Sequence, residues 1–332
     1  MQATGQPNGP SLPLLDVRSP GEFSQGHIPG AVNIPLFNDQ QRAEVGTLYK
    51  QEGKDKAVLC GLAAVGLGLE AFAQRLLAAC GPAKEVAMYC SRGGMRSASV
   101  AWLMNMSGIT VQLLDGGYKS FRRHVLEFFE SKPLSSRLQV LGGGTGSGKT
   151  EVLLLMAELG AQVLDLEGMA RHRGSAFGSL EGKAQPSSEH FENLLALALM
   201  QCSPELPVWV EDECENLGSV NIPRTFFQSL RSAAFMVIEV SREVRLKRVL
   251  RDYGTMDAER MALGIDRIRK RLGGLEHKKA HLALAEGNLE ALAGILLDYY
   301  DRAYEKQMKT RIPLATICTD DPEEAAARLC GG

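Results

Sequence analysis

The chain has 332 residues, of which 45% are hydrophobic and 23% are charged. This balance is typical of a globular protein with a substantial core, and the length allows two domains. The chain contains no apolar run of about 18 residues, as a membrane helix requires, and its first residues lack the basic start and apolar centre of a secretory signal. We therefore expect no membrane partner and a cytoplasmic location.

The seven cysteines are widely spaced, and no two of them form a C-x-x-C pair. Neither a structural metal site nor a disulfide framework is predicted, and free thiols are typical of the cytosol. The net charge of −2 does not by itself indicate a nucleic-acid partner. Segments 242–251 and 267–281 are locally basic, and they are either solvated helix faces or surfaces that contact phosphates.

The predicted elements of the first part alternate between strand and helix. They are a strand ending at Asp16, a strand ending at Pro35, a helix over 60–80, a strand over 85–90, a helix over 97–106 with Ser97 near its N-cap, and a strand and turn over 110–117. This alternation predicts an α/β domain with a doubly wound parallel sheet.

A polar segment with a proline, residues 130–139, predicts the boundary between a first domain over 1–131 and a second over 135–332. The second part contains predicted strands over 138–141, 161–167, 206–211, 233–240 and 314–318, and predicted helices over 149–159, 243–251, 258–272, 279–307 and 321–330. The pattern predicts a second α/β domain with extra C-terminal helices.

The segment YCSRGGMRS places Cys90 between a predicted strand and a predicted helix. Free amides and the macrodipole favour an anion at the start of a helix, and Gly93 and Gly94 let the backbone N–H groups turn inward. Arg92 and Arg96 add positive charge. We expect these features to lower the pKa of the Cys90 thiol and to make it a catalytic nucleophile.

A second glycine-rich loop fits the pattern G-x-x-x-x-G-K-[ST] and lies between a predicted strand and a predicted helix, the context that supports the motif. Its residues are Gly143, Gly144, Thr145, Gly146, Ser147, Gly148, Lys149 and Thr150. The loop amides would cradle a diphosphate, Lys149 would reach the terminal phosphate, and Thr150 would face Mg²⁺.

Acidic residues follow two predicted strands of the second part. In VWVEDE, Asp212 is the first candidate for a Mg²⁺ partner and Glu211 the second. Asp165 and Glu167 follow another strand, where they are either ligands or ordinary polar residues at a strand end.

The segment RHRGSAFGS offers three candidate anion donors, Arg171, His172 and Arg173. It is either a solvated loop or a grip on phosphate or an RNA backbone.

Three segments, LLDVRSPGEFSQGHIPGAVNIP, YCSRGGMRS and LLDGGYKSF, resemble the successive signatures of a rhodanese domain over nearly all of residues 13–125. The rhodanese family carries sulfur as a cysteine persulfide in a loop of this kind. Five residues separate Cys90 from Arg96, one more than in many sulfurtransferases. That spacing resembles the C-x5-R loop of cysteine phosphatases, so a phosphatase stays an alternative.

Together with the two loops, DQQRAEVGTLYK, DLEGMARHRGSAFGS, FENLLA and WVEDECENLGSVNIP resemble the bacterial tRNA 2-selenouridine synthase family over almost the whole chain. The helices over 256–310 are less diagnostic. The resemblance implies a rhodanese-like domain followed by a P-loop NTPase-like domain. It also implies a tRNA substrate whose wobble uridine carries sulfur at C2.

In that family selenium from selenophosphate replaces the sulfur, and a selenophosphate-producing enzyme supplies the donor. A geranylated thio-nucleoside, made from geranyl diphosphate, is the implied intermediate. By this resemblance Cys90 would hold selenium as a selenenyl sulfide. The loop around Lys149 would grip the diphosphate of the prenyl donor.

Two further functions remain open. One is an ATP-dependent sulfurtransferase that activates a tRNA or a small molecule. The other is a redox-sensing module in which the rhodanese-like domain is inert and the P-loop domain binds a nucleotide, although the arginines beside Cys90 argue against inertness.

Overall fold

The structure is a computed structural model, and it describes residues 12–131, 134–174, 177–178, 184–254, 256–309 and 311–331. The chain divides into two compact units, of which the first ends at Phe128 and the second begins at Phe129. The sequence prediction ends the first domain at residue 131 and begins the second at residue 135.

The first unit is built on a parallel sheet. Its elements in chain order are β1 (Leu14–Asp16), α1 (Pro20–Gln25), β2 (Val32–Asn33), α2 (Asp39–Gln51), α3 (Lys54–Gly66), α4 (Leu69–Cys80), β3 (Glu85–Tyr89), α5 (Met95–Met106), β4 (Thr110–Leu113) and the start of α6 (Gly117–Ser131). The strand order is β2-β1-β3-β4, and every neighbouring pair is parallel. Apolar residues of β1, β3, α4 and α5 form its core, among them Leu15, Phe72, Leu76, Met88 and Met104.

The helix predicted over 60–80 is two helices, α3 and α4, and α2 precedes them outside the predicted elements. The break falls at Gly66–Leu67–Gly68, where two glycines each weaken a helix by about 1 kcal/mol relative to alanine. Apolar residues continue at helical spacing across the break, so periodicity alone does not show it. Among the described residues, no single helix has the length and apolar character to cross a membrane, although α3 and α4 together, bent by 77°, have both.

The second unit has a five-stranded sheet, a two-stranded hairpin and many helices. Its elements are β5 (Leu138–Gly142), α7 (Lys149–Glu158), β6 (Gln162–Leu164), α8 (Leu166–Ala170), α9 (Ser188–Gln201), β7 (Val208–Glu211), β8 (Asn216–Leu217), β9 (Val220–Asn221), α10 (Arg224–Ser232), β10 (Ala234–Glu239), α11 (Arg242–Tyr253), α12 (Ala258–Leu272), α13 (Gly274–Ala285), α14 (Leu289–Met308), β11 (Ala315–Cys318) and α15 (Pro322–Cys330).

The order of the larger sheet is β11-β10-β5-β7-β6, and all of its pairs are parallel, so the prediction of two α/β units with parallel sheets is confirmed. The strand predicted over 161–167 ends at Leu164 because α8 begins two residues later. The central strand β5 leads into the glycine loop and α7. The carboxyl end of the sheet is therefore where a ligand of this unit belongs.

Three C-terminal helices, α12, α13 and α14, pack on one another around Met261, Ile265, Leu272, Leu292 and Leu296. The helix predicted over 279–307 is divided between α13 and α14. Gly287, with φ of +68°, allows the turn between them, and the Asn288 side chain accepts a hydrogen bond from the Ala291 amide. The helical conformation predicted for this range is confirmed, but the break at 286–288 was not predicted.

Arg311 anchors several elements of the second unit from a position where it is only 9% exposed. Its Nη2 donates to the carbonyls of Leu230 and Ala233 at 2.7 and 3.1 Å, and its Nη1 donates to Asp212 Oδ1 at 3.1 Å. The guanidinium also lies 4.2 Å from the ring centroid of Phe235. One side chain thereby ties the end of β7 to the end of α10 and the start of β10.

Replacing Arg311 by methionine should lower the free energy of unfolding of the second unit by about 3 kcal/mol, because two carbonyls lose their donor and the buried Asp212 carboxylate loses this arginine and keeps Arg231. Urea unfolding in a Trp102→Phe background would measure this through Trp209, the remaining tryptophan. Arg328→Met, which breaks an exposed pair with Glu324, is the control and should change stability by less than about 1 kcal/mol. Similar midpoints for the two variants would contradict the anchoring role.

Candidate active sites

The thiol of Cys90 lies directly after β3 and before α5, in a buried position that is 3% exposed. The Gly94 amide donates to Sγ at 3.3 Å, and the Ser97 hydroxyl donates to Sγ at 3.2 Å. Ser97 lies near the N-cap of α5, as predicted, although the helix begins two residues earlier, the N-cap is Gly94, and Ser97 is in the first turn. From there its hydroxyl reaches the sulfur.

The pKa of the Cys90 thiol is lowered from its ordinary value. Burial on its own raises the pKa, but the hydrogen bond from the Ser97 hydroxyl and those from the amides of Arg92, Ser97 and Gly94 stabilise the thiolate and outweigh it. The direction of this pKa shift agrees with the sequence prediction, and so does the part of its cause that the prediction gave to backbone amides, whereas the charges of Arg92 and Arg96 are not among the causes. Neutral dipoles stabilise this anion.

The Arg96 guanidinium forms an ion pair with Glu22, with Nη1–Oε2 at 2.6 Å and Nη2–Oε1 at 3.2 Å. Burial on its own raises the pKa of Glu22. The hydrogen bonds to Glu22 and the charge of Arg96 together outweigh burial and lower the pKa to about 2. Glu22 is also the third residue of α1, in a capping box with Ser19. The role of Glu22 was not predicted, although the S-x-x-E pattern at 19–22 is the sequence signature of this capping box. The Arg92 side chain is exposed.

Gly117 supports the cysteine loop from the turn after β4. Its φ is +58°, and a Cβ at this position would lie 2.3 Å from the Cys90 carbonyl oxygen and 2.6 Å from the Gly93 amide nitrogen. The Tyr118 amide donates to the same Cys90 carbonyl at 2.9 Å. Only glycine fits this close approach, which explains why LLDGGYKSF accompanies YCSRGGMRS.

The second glycine loop joins β5 to α7 and borders a cavity of about 360 Å³. Gly146 and Gly148 have φ of +78° and +79°, so the loop needs glycine at both positions. Lys149 Nζ donates to the Gly143 carbonyl at 2.8 Å. The cavity is lined by Thr145, Gly146, Gly148, Lys149, Thr150, Glu151, Glu167, Arg173, Gly174, Glu213, Arg248, Val249, Arg251 and Tyr300.

Two arginines of α11 brace this loop. Arg245 Nε donates to the Thr145 carbonyl at 2.8 Å, and Arg248 Nη1 donates to the Ser147 carbonyl at 2.8 Å. Arg248 also lines the cavity. The basic segment over 242–251 is therefore more than a solvated helix face, because two of its arginines hold the phosphate loop.

Three glutamates gather beside the loop, and their carboxylate oxygens lie within 4.8 Å of one another: Glu167, Glu211 and Glu213. The Thr150 hydroxyl lies 3.3 Å from Glu167 Oε2 and 3.2 Å from Glu211 Oε2. Burial is the largest cause that raises the pKa of each glutamate, and repulsion from neighbouring carboxylates adds to it for Glu211 and Glu213. The pKa of Glu213 rises to about 8.

This group of oxygen atoms fits a hard divalent cation. Mg²⁺ prefers carboxylate and hydroxyl oxygens, and a cation would offset the repulsion that keeps these pKa values high. Thr150, the predicted Mg²⁺ partner in the loop, is part of this group.

The prediction that Asp212 is the first candidate for the Mg²⁺ partner is wrong. Its Oδ1 accepts from Arg231 at 3.0 Å and from Arg311 at 3.1 Å, so the carboxylate is already paired. Successive side chains of an extended chain point to opposite sides, which sends Glu211 and Glu213 one way and Asp212 the other. Asp165 is the N-cap of α8, where it accepts from the Gly168 amide at 2.7 Å.

Of the three candidate anion donors after α8, only Arg173 lines the cavity of about 360 Å³ beside the phosphate loop, which we call the phosphate cavity. Arg171 is exposed, has φ of +51°, and donates to the Ala184 carbonyl at 3.2 Å. His172 is buried, and burial together with the charge of Arg267 lowers its pKa. Residues 175, 176 and 179 of the same predicted segment lie outside the described residues.

Comparisons with known proteins match both units. A family model described as the tRNA 2-selenouridine synthase AAA domain matches residues 136–329, and the rhodanese-like domain matches residues 2–124. The resemblance found in the sequence is thereby confirmed.

Several curated relatives carry the name tRNA 2-selenouridine synthase. The protein of Marinobacter nauticus is 35% identical over 331 residues, which covers 90% of this chain and 88% of that one. The protein of Bordetella bronchiseptica is 35% identical, covering 96% and 94%, and that of Alcanivorax borkumensis is 36% identical, covering 90% of each.

Replacing Ser97 by alanine should raise the pKa of the Cys90 thiol, because the thiolate loses its hydroxyl donor. The rate of iodoacetamide alkylation, followed against pH by mass spectrometry of the Cys90 peptide, would show a midpoint moved upward. Ser99→Ala is the matched control, since the Ser99 hydroxyl binds the Arg96 carbonyl and leaves the sulfur untouched. An unchanged midpoint in Ser97→Ala would exclude the hydroxyl as a cause.

Mg²⁺ should raise the melting temperature more at about pH 8.5 than at about pH 6. The pKa of Glu213 is about 8 in the folded chain and about 4.5 ordinarily, so the folded state holds the extra proton between these values and stability falls as pH rises through them. Bound Mg²⁺ replaces that proton. Thermal melts at both pH values test this. Glu213→Gln should reduce the difference, and an equal Mg²⁺ effect at both pH values would contradict the site.

Proposed function

Because the chain belongs to the tRNA 2-selenouridine synthase family, we propose that it is a tRNA-modifying transferase that converts a thiolated wobble uridine into 2-selenouridine. The observation that carries this proposal is a thiol whose anion is stabilised by loop amides and the Ser97 hydroxyl. A second loop, around Lys149, has the residues to bind a diphosphate. The two loops suggest two donors with separate chemistry.

We assign selenophosphate to the cysteine loop. Selenium in selenophosphate already has the oxidation level of the product. If the Cys90 thiolate attacks phosphorus, an S–P bond forms and the P–Se bond breaks, and hydrogen selenide leaves with the electron pair as the nucleophile for C2 of the uridine. Water then releases phosphate from the sulfur, and the thiolate is restored.

Attack at selenium is the other route, and it would give the selenenyl sulfide that the family resemblance implies. In that adduct selenium is two electrons more oxidised, so a reductant must act before selenium attacks carbon. The route through phosphorus needs neither oxidant nor reductant. The C-x5-R spacing between Cys90 and Arg96, which is typical of enzymes that act on phosphorus, supports it.

We assign geranyl diphosphate to the phosphate loop. Beside the phosphate cavity is a second, small cavity whose lining includes Phe177, Val249, Met261, Leu292 and Leu296. The two cavities share Val249. A ligand with a diphosphate head and an apolar tail matches this pair better than a nucleotide does. The apolar cavity measures about 10 Å³, so these side chains must move apart to admit a prenyl tail.

The geranyl group changes the leaving group at C2. A thiolate sulfur leaves a pyrimidine poorly, and its attack on C1 of the prenyl donor gives a neutral thioether that departs as a thiol when selenium adds. Lys149 and the loop amides would stabilise the departing diphosphate. Thr150, Glu167, Glu211 and Glu213 would hold Mg²⁺, which when bound neutralises charge on phosphate oxygens.

We assign the tRNA backbone to the segment over 267–281 in preference to that over 242–251. Arg245 and Arg248 of the latter are already bonded to the phosphate loop, and Arg242 pairs with Asp298. The last turn of α12, by contrast, carries exposed cations at residues 269–271. Exposed cations of this kind attract phosphates and release counterions.

A crossed experiment tests both assignments on a tRNA with 2-thiouridine, geranyl diphosphate and selenophosphate, read by nucleoside mass spectrometry. Cys90→Ser should accumulate the geranylated nucleoside and form no 2-selenouridine. Lys149→Ala should geranylate at least about 100-fold more slowly, because a donor to the leaving group is lost. Given tRNA geranylated beforehand, Lys149→Ala should form 2-selenouridine at the normal rate.

Cys318→Ser and Lys50→Ala, both at exposed positions, are the matched controls and should behave as the unaltered chain. Formation of 2-selenouridine by Cys90→Ser would exclude the role given to that thiol. Normal geranylation by Lys149→Ala would exclude the prenyl diphosphate from the loop. An adenylylated product with ATP would favour the ATP-dependent sulfurtransferase.

A further inference from the structure

Two histidines and an aspartate meet on the surface of the helical part of the second unit, away from both loops in the sequence. His277 and His281 are four residues apart on α13, and Asp266 is on α12. His277 Nε2 lies 2.7 Å from Asp266 Oδ1, and His281 Nε2 lies 3.0 Å from the same oxygen. The centroids of the two imidazole rings are 4.6 Å apart.

The spacing of these atoms is close to that of ligands around one metal ion. The three ligand atoms lie within 4.8 Å of one another. Bond lengths of about 2.0–2.1 Å to zinc place neighbouring tetrahedral ligands about 3.3 Å apart. The two nitrogen–oxygen distances need to widen by only a few tenths of an ångström, and surface side chains can do this by small rotations.

We propose that Asp266, His277 and His281 form a binding site for a divalent transition metal of the zinc type. Two imidazole nitrogens and one carboxylate oxygen suit zinc and its neighbours in the first transition series, whereas Mg²⁺ prefers oxygen ligands alone. Three protein ligands leave a coordination position for water or an external oxygen.

The metal would join two helices across a turn. α12 and α13 are separated only by Gly273, whose φ is +91°, and they share one apolar core. The ligands come from both sides of this turn, so the ion would hold the helix pair at a fixed angle. It would also stabilise the folded chain by mass action, since the unfolded chain does not hold the three ligands together.

The positive charge of Lys270 close to the proposed ligands provides a test of the metal site. Asp266 is the only carboxylate of the three ligands. Lys270 is exposed and lies one helical turn beyond Asp266 on the same face of α12. Its positive charge opposes a cation. Removing that charge should therefore tighten metal binding.

Zinc titration of the full-length chain by calorimetry tests the proposal. Asp266→Asn, His277→Gln and His281→Gln should each lose one equivalent of bound Zn²⁺ relative to the unaltered chain. Lys270→Gln should bind that equivalent at least about threefold more tightly. His124→Gln, which alters a histidine bonded to the Ser120 carbonyl in α6, is the control and should keep the full stoichiometry.

Co²⁺ absorption identifies the ligands, because the chain also has free cysteines. The Co²⁺ ion that the unaltered chain binds and the three variants do not should show no thiolate charge-transfer band. Circular dichroism confirms that each variant is folded, and the isosteric Asp266→Asn guards against misfolding of the others. The same Zn²⁺ stoichiometry in the unaltered chain and in His277→Gln, or a thiolate band on the lost equivalent, would overturn the proposal.

Discussion

Both sites depend on one interaction, which is the binding of an anion by backbone N–H groups at the start of a helix. These groups have no partner within the helix, and in each site the helix follows a parallel strand. α5 begins after Gly94 and α7 begins after Gly148, and neither N-cap has a side-chain hydrogen bond to the helix. Elsewhere Ser19, Asn38 and Asp257 cap their helices with side-chain oxygens that occupy those amides. A glycine at the N-cap leaves the amides for an anion from outside. The absence of a side-chain cap lowers the stability of the helix, but it leaves the amides available to bind an anion.

The two loops stabilise negative charge in different ways, and the difference suits their proposed tasks. Around Cys90 the donors are amides and a hydroxyl, while Glu22 holds the nearby guanidinium of Arg96. A thiolate loses nucleophilicity as its pKa falls, so moderate stabilisation by dipoles keeps it reactive. Around Lys149 the donors include formal charges, with Arg173 and Arg248 on the same cavity. A departing diphosphate gains charge as it leaves, and strong fixed cations favour that departure.

The parts of the structure that were predicted from the sequence are those governed by local rules. Glycine loops between strands and helices follow from backbone geometry over a few residues, and the parallel sheets follow from the alternation of elements. The parts that were missed depend on residues far apart in the chain. Glu22 and Arg96 are 74 residues apart, and Asp212 and Arg311 are 99 apart. No local pattern connects such pairs, although the alternation of side chains along β7 would have separated Asp212 from Glu211.

That alternation also explains how one strand end can serve both function and stability. Glu211 and Glu213 turn toward the phosphate loop, where burial and repulsion among carboxylates destabilise the fold at high pH. Asp212 turns the other way and pairs with Arg231 and Arg311. The pairing holds the chain in the conformation that keeps the two glutamates together, although their repulsion favours separation. The Glu167 amide adds a donor to Glu211 Oε1 at 3.0 Å. A buried acidic site of this kind therefore requires an anchor on the opposite face of the strand, and Asp212 provides it.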